Sequence, residues 1–224
     1  MKLLLSIDTA VEGASVCLSA DGKNIALLTN TEPRESAAWV HPAIQQMLKT
    51  ENILPTDLAA VAVSAGPGSY TGLRVGLSTA KGLCYALGKP LITINTLQMM
   101  AAAALEQNIT TDFICPMIDA RRMEVFTAVY NRELHEQWAS QAVVLQTDTL
   151  QELLQQHTIT FVGNGSPKFQ LITSHAHAIF KSVTVNASHL TVLAYRLLLQ
   201  QKFADLAYAE PFYGKEFYSP AHNN

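Results

Sequence analysis

The chain has 224 residues, 15 Lys and Arg against 18 Asp and Glu, a formal charge of −3, 49% hydrophobic residues and only 15% charged ones. So apolar a chain offsets its ordering entropy by burial, which excludes an intrinsically disordered protein. The slightly acidic balance, with no run of Lys and Arg, argues against unaided nucleic-acid binding, and a charged fraction below the usual quarter points to surface covered by another protein.

Lys2–Thr9 reads as an apolar strand ending in Asp8-Thr9. Glu12–Ser19 alternates, with Ala14, Val16 and Leu18 on one face. Asp21-Gly22 is a hairpin signal, and Asn24–Thr29 completes an antiparallel meander. Val40, Ile44, Met47 and Leu48 recur at helical spacing. The start of that helix is open between Ser36 as N-cap, with Pro42 kinking it, and Pro42 as its first residue. Ala59–Ser64 reads as a buried strand. Gly72–Leu87 reads as a helix ended by Gly88 with Pro90 just beyond. A strand at Leu91–Asn95 and a short helix at Leu97–Ala104 follow.

The pattern then restarts. Phe113–Asp119, Glu124–Tyr130 and Trp138–Leu145 supply strands. Helix Thr149–Gln156, strand Thr158–Val162, a Gly163-Asn164-Gly165 turn and helix Thr191–Gln201 complete it. The order strand-strand-strand-helix-strand-helix thus occurs twice, the second time imperfectly. That predicts two α/β domains joined near residues 105–111, at 1–106 and 107–224. The tail from Tyr208 is rich in Pro and aromatics, and its path is open, with packing back on the first domain as one option.

The stretch Gly66-Pro67-Gly68-Ser69-Tyr70-Thr71-Gly72-Leu73-Arg74-Val75-Gly76 lies between a strand and a helix. Its glycines permit close backbone approach, and Ser69 or Thr71 can cap the helix. Exposed amides there could hold an anion. No lysine follows the glycines, so it is not a Walker A loop, and a tight turn without ligand is the plainer reading. The helix itself carries two stripes unsuited to water: Leu73, Leu77, Ala80, Cys84 and Leu87, and Gly72, Gly76, Thr79, Leu83 and Ala86. An ordinary surface helix buries one stripe. Either this one lies between two layers of its own domain, or its small-residue stripe meets a partner.

Asp8-Thr9 resembles the first phosphate loop of actin-like and sugar-kinase-like ATPases. The matching stretch, Ile118-Asp119-Ala120-Arg121-Arg122-Met123-Glu124, has no glycine, and its side chains would crowd a phosphate. Asp8 and Thr9 therefore read as a vestigial nucleotide loop. Gly163-Asn164-Gly165 reads as a simple turn before it reads as the relic of an adenosine loop. The seven histidines form no His-x-x-x-His or Cys/His cluster, so no metal site is expected. No Gly-x-Ser-x-Gly elbow surrounds Ser69, which speaks against a nucleophile there. Cys17, Cys84 and Cys115 are far apart and fit a reduced, cytoplasmic compartment. The apolar opening stops at Asp8, too short for a signal-peptide core, and no segment is long enough to cross a bilayer, so no membrane partner is expected.

Ile7-Asp8-Thr9-Ala10, the Gly66–Gly76 block, Ile118-Asp119-Ala120-Arg121-Arg122 with Glu124-Val125-Phe126, and Glu210-Pro211-Phe212-Tyr213 occur in order at fitting distances. Together they resemble the bacterial TsaB (YeaZ) family, over nearly the whole chain. Met123 and Gly214 depart from the family's usual glycine and larger apolar residue. The resemblance implies an α/β, two-domain actin-like (ribonuclease H-like) fold with a truncated second domain. It implies a non-catalytic subunit of the machinery that makes threonylcarbamoyladenosine beside the tRNA anticodon. The expected partners are a catalytic paralogue, TsaD, and an ATPase, TsaE. ATP, ADP and metal would belong to those partners, this chain alone binding no cofactor. tRNA would be met only through the complex, and the chain alone would form homodimers by the same surface. That surface is the helix pair Ser36–Thr50 and Gly72–Leu87, with Trp39, Ala43, Gln46, Gly72, Arg74, Gly76, Thr79 and Leu83 as candidate contacts. The alternative is an actin-like phosphotransferase or a metallopeptidase acting alone.

Overall fold

The computed structural model describes residues 1–11, 13–32 and 35–214. Strands β1 (Leu3–Asp8), β2 (Ala14–Ala20) and β3 (Lys23–Asn30) form the antiparallel meander, with Leu5 opposite Leu18 and Val16 opposite Leu28. Asp21 and Gly22 both take positive φ, 47° and 78°, as a two-residue hairpin matched to strand twist requires. Helix α1 (Ser36–Thr50) continues through Pro42, and Glu35, not Ser36, is its N-cap. Pro42 is exposed, and the carbonyl its missing N–H would have served belongs to exposed Ala38, so water can satisfy it.

Strand β4 (Leu58–Ser64) lies parallel to β1, and β5 (Leu91–Ile94) parallel to β4. Between them α2 spans Tyr70–Leu87, starting two residues earlier than the spacing predicts. Its N-cap is Ser69, whose Oγ accepts from Gly72 N at 3.3 Å, and Gly88 ends it in the left-handed region. Helix α3 (Thr96–Leu105) leads to the second sheet, built from β6 (Phe113–Asp119), β7 (Glu124–Asn131), β8 (Glu136–Val144), β9 (Ile159–Val162) and β10 (Ala178–Phe180). Around it lie α4 (Gln151–Gln156) and α5 (Ser166–Gln170), with α6 (Thr191–Leu199) near the end. Strand β10 and helix α5, of three and five residues, are too short to show a period in sequence. The two sheets have one topology, β3-β2-β1-β4-β5 and β8-β7-β6-β9-β10. A meander followed by parallel crossover strands, repeated, is the actin-like, ribonuclease H-like α/β fold.

Burial orders the layers. Leu5, Ile7, Val61 and Val63 face Val40 and Ile44 of α1 and Leu77 and Ala80 of α2. The opposite face of that sheet, with Leu4, Ala60, Ala62 and Ile92, is covered by Leu193, Ala194 and Leu198 of α6 and by Met99 of α3. Helix α3 turns Leu97, Met100 and Ala104 to Ile114, Ile118 and Tyr130 of the second sheet, and so serves both. Chain order groups Thr191–Gln201 with the second half, yet α6 packs on the first sheet. Its periodicity predicts a helix but says nothing of which alanine-lined face receives it.

The chain then doubles back. Ala204 N donates to Leu91 O at 2.9 Å along the β5 edge, and Phe212 N to Ala65 O at 2.7 Å. Lys81 Nζ reaches the carbonyls of Ala207 and Ala209 at 3.2 and 3.0 Å. Up to Gly214 the tail from Tyr208 therefore lies along α2, and the rest of it falls outside the described residues.

Candidate functional site

The glycine-rich turn is fastened to the end of β1. Ser69 N donates to Ala10 O at 2.7 Å, and Thr96 N to Gly66 O at 2.8 Å. Gly66 N donates to Thr96 Oγ1 at 3.1 Å, and Thr9 Oγ1 donates to Gly72 O at 2.6 Å. A Cβ at Gly68 would strike Ala10 O, one at Gly72 the Thr9 carbonyl, and one at Gly76 the Thr9 hydroxyl. Only glycine lets α2 come this close to the strand. Asp8 is 4% exposed, and its carboxylate accepts from Ser64 Oγ at 2.5 Å and Ala10 N at 3.0 Å. Burial raises its pKa above the ordinary carboxylate value, against the lowering pull of those two donors and of the charge on His189. The groups that would meet a phosphate in an actin-like ATPase are thus bonded within the chain.

The equivalent point on β6 differs. Asp119 Oδ1 accepts from Arg121 N and from Lys168 Nζ, both at 2.7 Å, while Asp119 N donates to Asn164 Oδ1 at 2.9 Å. The Lys168 contact holds the Asp119 carboxyl below its usual range. Side chains, not bare amides, crown this turn. At both turns the polar groups beside the aspartate are bonded within the chain.

Cys17 and Cys84 are pushed up to about 11 and Cys115 to about 12 by burial, so all three are thiols at neutral pH and unsuited to nucleophilic attack. No group of three or more His, Cys, Asp or Glu gathers to hold a metal among the described residues.

The pair α1–α2 presents the other candidate surface. Gly72, Gly76, Thr79 and Leu83 lie next to Leu73, Leu77, Ala80 and Cys84 around the helix, so the two stripes form one broad arc turned into the protein except at Ala86, which is exposed. Ala43, Gly72, Gly76 and Thr79 are buried, Trp39 and Leu83 half-buried, and Gln46 and Arg74 exposed. Thr79 Oγ1 sits 3.3 Å from His41 Nε2, bonding α2 to α1. The outward arc instead carries Thr71, Arg74, Ser78, Gly82 and Tyr85, the last 83% exposed, with open space above Gly82. On α1 it carries Ala38, Pro42, Gln45 and Gln46. A groove of about 330 Å³ runs between the helices over Ile44, Leu48, Ile53, Leu83 and Leu87. Arg74 leans on Tyr70, 4.2 Å from its ring centroid, and reaches Tyr213 Oη at 3.1 Å.

Comparison with known proteins decides the family. A family model described as TsaD, tRNA N6-adenosine threonylcarbamoyltransferase, matches residues 30–213. The tRNA threonylcarbamoyladenosine biosynthesis protein TsaB of Escherichia coli K12 is 31% identical over 94% of this chain and 93% of its own. The chain belongs to the TsaB family. The TsaB of Bacillus subtilis is 30% identical over 72% of this chain and 70% of its own. The solved structure of YeaZ from Pseudomonas aeruginosa covers 95% of this chain and is covered in full, with a TM-score of 0.79 at 23% identity, and shares its fold. A second P. aeruginosa structure, described as similar to peptidase YEAZ, gives a TM-score of 0.82 at 22% identity over 96% of this chain and all of its own. No helix among the described residues is long and apolar enough to cross a membrane.

In this TsaB-family chain, four of the candidate contacts drawn from sequence lie inside the α1–α2 layer. Gly72 and Gly76 face Thr9 and Val63 of their own subunit. Ala43 and Thr79 are likewise buried within the α1–α2 layer. The outward position of Ser78, Gly82 and Tyr85 is not legible in sequence, because the phase of α2 is set by Thr9, a contact made across 63 residues. The one local signal for them was Tyr85, a large ring between small or polar neighbours, outside both apolar stripes.

Proposed function

We propose that this chain is a non-catalytic subunit in tRNA threonylcarbamoyladenosine formation, pairing with a TsaD-type catalytic paralogue and helping to recruit a TsaE-type ATPase. The observation that carries this reading is the closed β1 turn: Asp8, Thr9 and the Ser69 amide are all bonded internally, so phosphate and metal chemistry fall to a partner. The E. coli and B. subtilis relatives are named for the same biosynthesis. The pairing surface is the outward α1–α2 arc, which is small, neutral and nearly free of charge around Tyr85, with Gln46 and Arg74 kept from the sequence reading. A standard interface hides roughly 800 Å² per partner, and two helices of this length can supply it. The same arc serves the homodimer when the chain is alone, so the two dimers compete. tRNA is then met in the assembly.

Sedimentation of the chain with its TsaD-type partner tests this. Gly82→Trp and Tyr85→Glu should each weaken pairing tenfold or more without lowering Tm, because nothing lies over either position. Wild-type affinity in both variants would remove the surface. Titration with ATP and Mg²⁺ separates the rival: tight binding by the chain alone would favour a phosphotransferase or metallopeptidase.

A further inference from the structure

Arg121 and Arg122 are the only neighbouring pair of cations in the sequence. They form the tip of the β6–β7 hairpin with φ of 72° and 44°, both in the left-handed region. That geometry favours Asn-Gly, and a side chain with a Cβ strains the backbone there. The tip is nevertheless firmly held. Ala120 N donates to Glu124 O and Glu124 N to Arg121 O, both at 3.0 Å, and Arg121 N donates to Asp119 Oδ1 at 2.7 Å. Both arginines are exposed, and no ion pair engages either guanidinium among the described residues. The acids nearest in sequence are Asp119, already bonded to Lys168, and Glu124, at the start of β7.

Two lysines lie near this turn, and one of them, Lys168, is paired with Asp119. The bond from Asp119 N to Asn164 Oδ1 sets the hairpin tip against a cavity of about 390 Å³ walled by Asn164, Ser166, Lys181 and Thr184. Lys168 lies at the tip and Lys181 in the cavity wall. Nothing in the packing asks for paired arginines here, since neither buries against the fold. Two adjacent forks on a rigid turn suit successive phosphodiesters, which accept bidentate bonds. A chain of net charge −3 has no long-range pull on a polyanion, so such a contact works where other subunits already hold the nucleic acid.

We propose that the Arg121–Arg122 turn, flanked by Lys168 and Lys181, is a phosphate-contact point for the tRNA backbone. The proposal rests on the reading above that the chain works inside a tRNA-modifying assembly. It positions the tRNA rather than reading its sequence.

The test titrates fluorescent tRNA into the wild-type chain, an Arg121→Gln/Arg122→Gln double variant and an Arg121→Lys/Arg122→Lys double variant. Each is measured alone and with the TsaD-type subunit, at several salt concentrations. The Gln variant should bind tRNA about 5–20-fold more weakly in the assembly at roughly 0.1 M salt, with a salt slope smaller by about 1–2. The Lys variant should keep most of the slope. Sedimentation with the TsaD-type subunit should not change. Unaltered affinity and slope in the Gln variant would overturn the proposal. So would loss of pairing with tRNA binding intact, since the turn would then face a protein. If the wild-type chain fails to pair at all, the functional reading above fails. This proposal, which needs the assembly, then falls with it, whereas unaltered tRNA affinity with pairing intact overturns this proposal alone.

Discussion

Strands β1 and β6 occupy the same place in their sheets, and each ends in an aspartate, but the two carboxylates have opposite fates. Asp8 is 4% exposed, bonded to Ser64 and the Ala10 amide, and raised in pKa by burial. Asp119 keeps 42% of its side chain exposed, holds Lys168 and the Arg121 amide, and is lowered in pKa. Around the first, three glycines let a helix close on the strand; around the second, arginines stand out from a tight hairpin. One duplicated framework thus turned one loop inward as a fastening and the other outward as a charged knob. What differs is the size of the side chains beside the aspartate, not the sheet that carries it.

The inward loop is broken most severely by bulk. Gly72→Val would drive methyls into the Thr9 carbonyl and should cost about 3 kcal/mol or more, read as a fall in Tm of roughly 6–12 °C for a chain of this size. Gly82→Ala on the open side of the same helix should raise stability by about 1 kcal/mol. Equal effects at the two glycines would mean that α2 is not fastened as described. Asp8→Asn tests the buried carboxyl next. With a folded pKa above the unfolded one, Asp8 adds stability that is full below the ordinary carboxylate value and lost as pH rises through the raised value. The variant should flatten that limb in urea titrations across pH, leaving the protein more stable at neutral pH by on the order of 1 kcal/mol.

On the outward loop, Arg122→Gly relieves one left-handed residue and should stabilise the chain by about 1 kcal/mol in thermal melts. The smallest effect belongs to Lys168→Ala. Asp119 has a lowered pKa, so its contribution is present above the ordinary carboxylate range and lost as pH falls through the lowered value. Because the pair is partly solvated, the loss at neutral pH should be only a few tenths of a kcal/mol and should fade with added salt.

The meander, the first-sheet strands and the two helices that cover them were legible because alternation, the Asp21-Gly22 turn and Gly88 are local signals. The outline of the two turns was legible too, since a strand ending in Asp-Thr and a glycine-free counterpart are both written in the chain. The direction in which α2 faces was not. Two adjacent stripes of apolar and small residues look like two surfaces in sequence, and only the carbonyl and hydroxyl of Thr9 show them to be one. The placement of α6 and of the segment after it escaped for the same reason: apolar spacing names a buried face without naming its neighbour.

The return of α6 and Ala204 to the first sheet sets an order on biosynthesis. Synthesis runs from the amino end, so Leu4, Ala60, Ala62 and Ile92 are on the ribosome long before Leu193, Ala194 and Leu198 are made. Until about residue 204 has emerged, that flank of the opening sheet stays without its α6 cover and the β5 border without the Ala204 bridge. A half-made chain therefore exposes apolar surface that the finished protein hides, the condition under which partly folded chains aggregate.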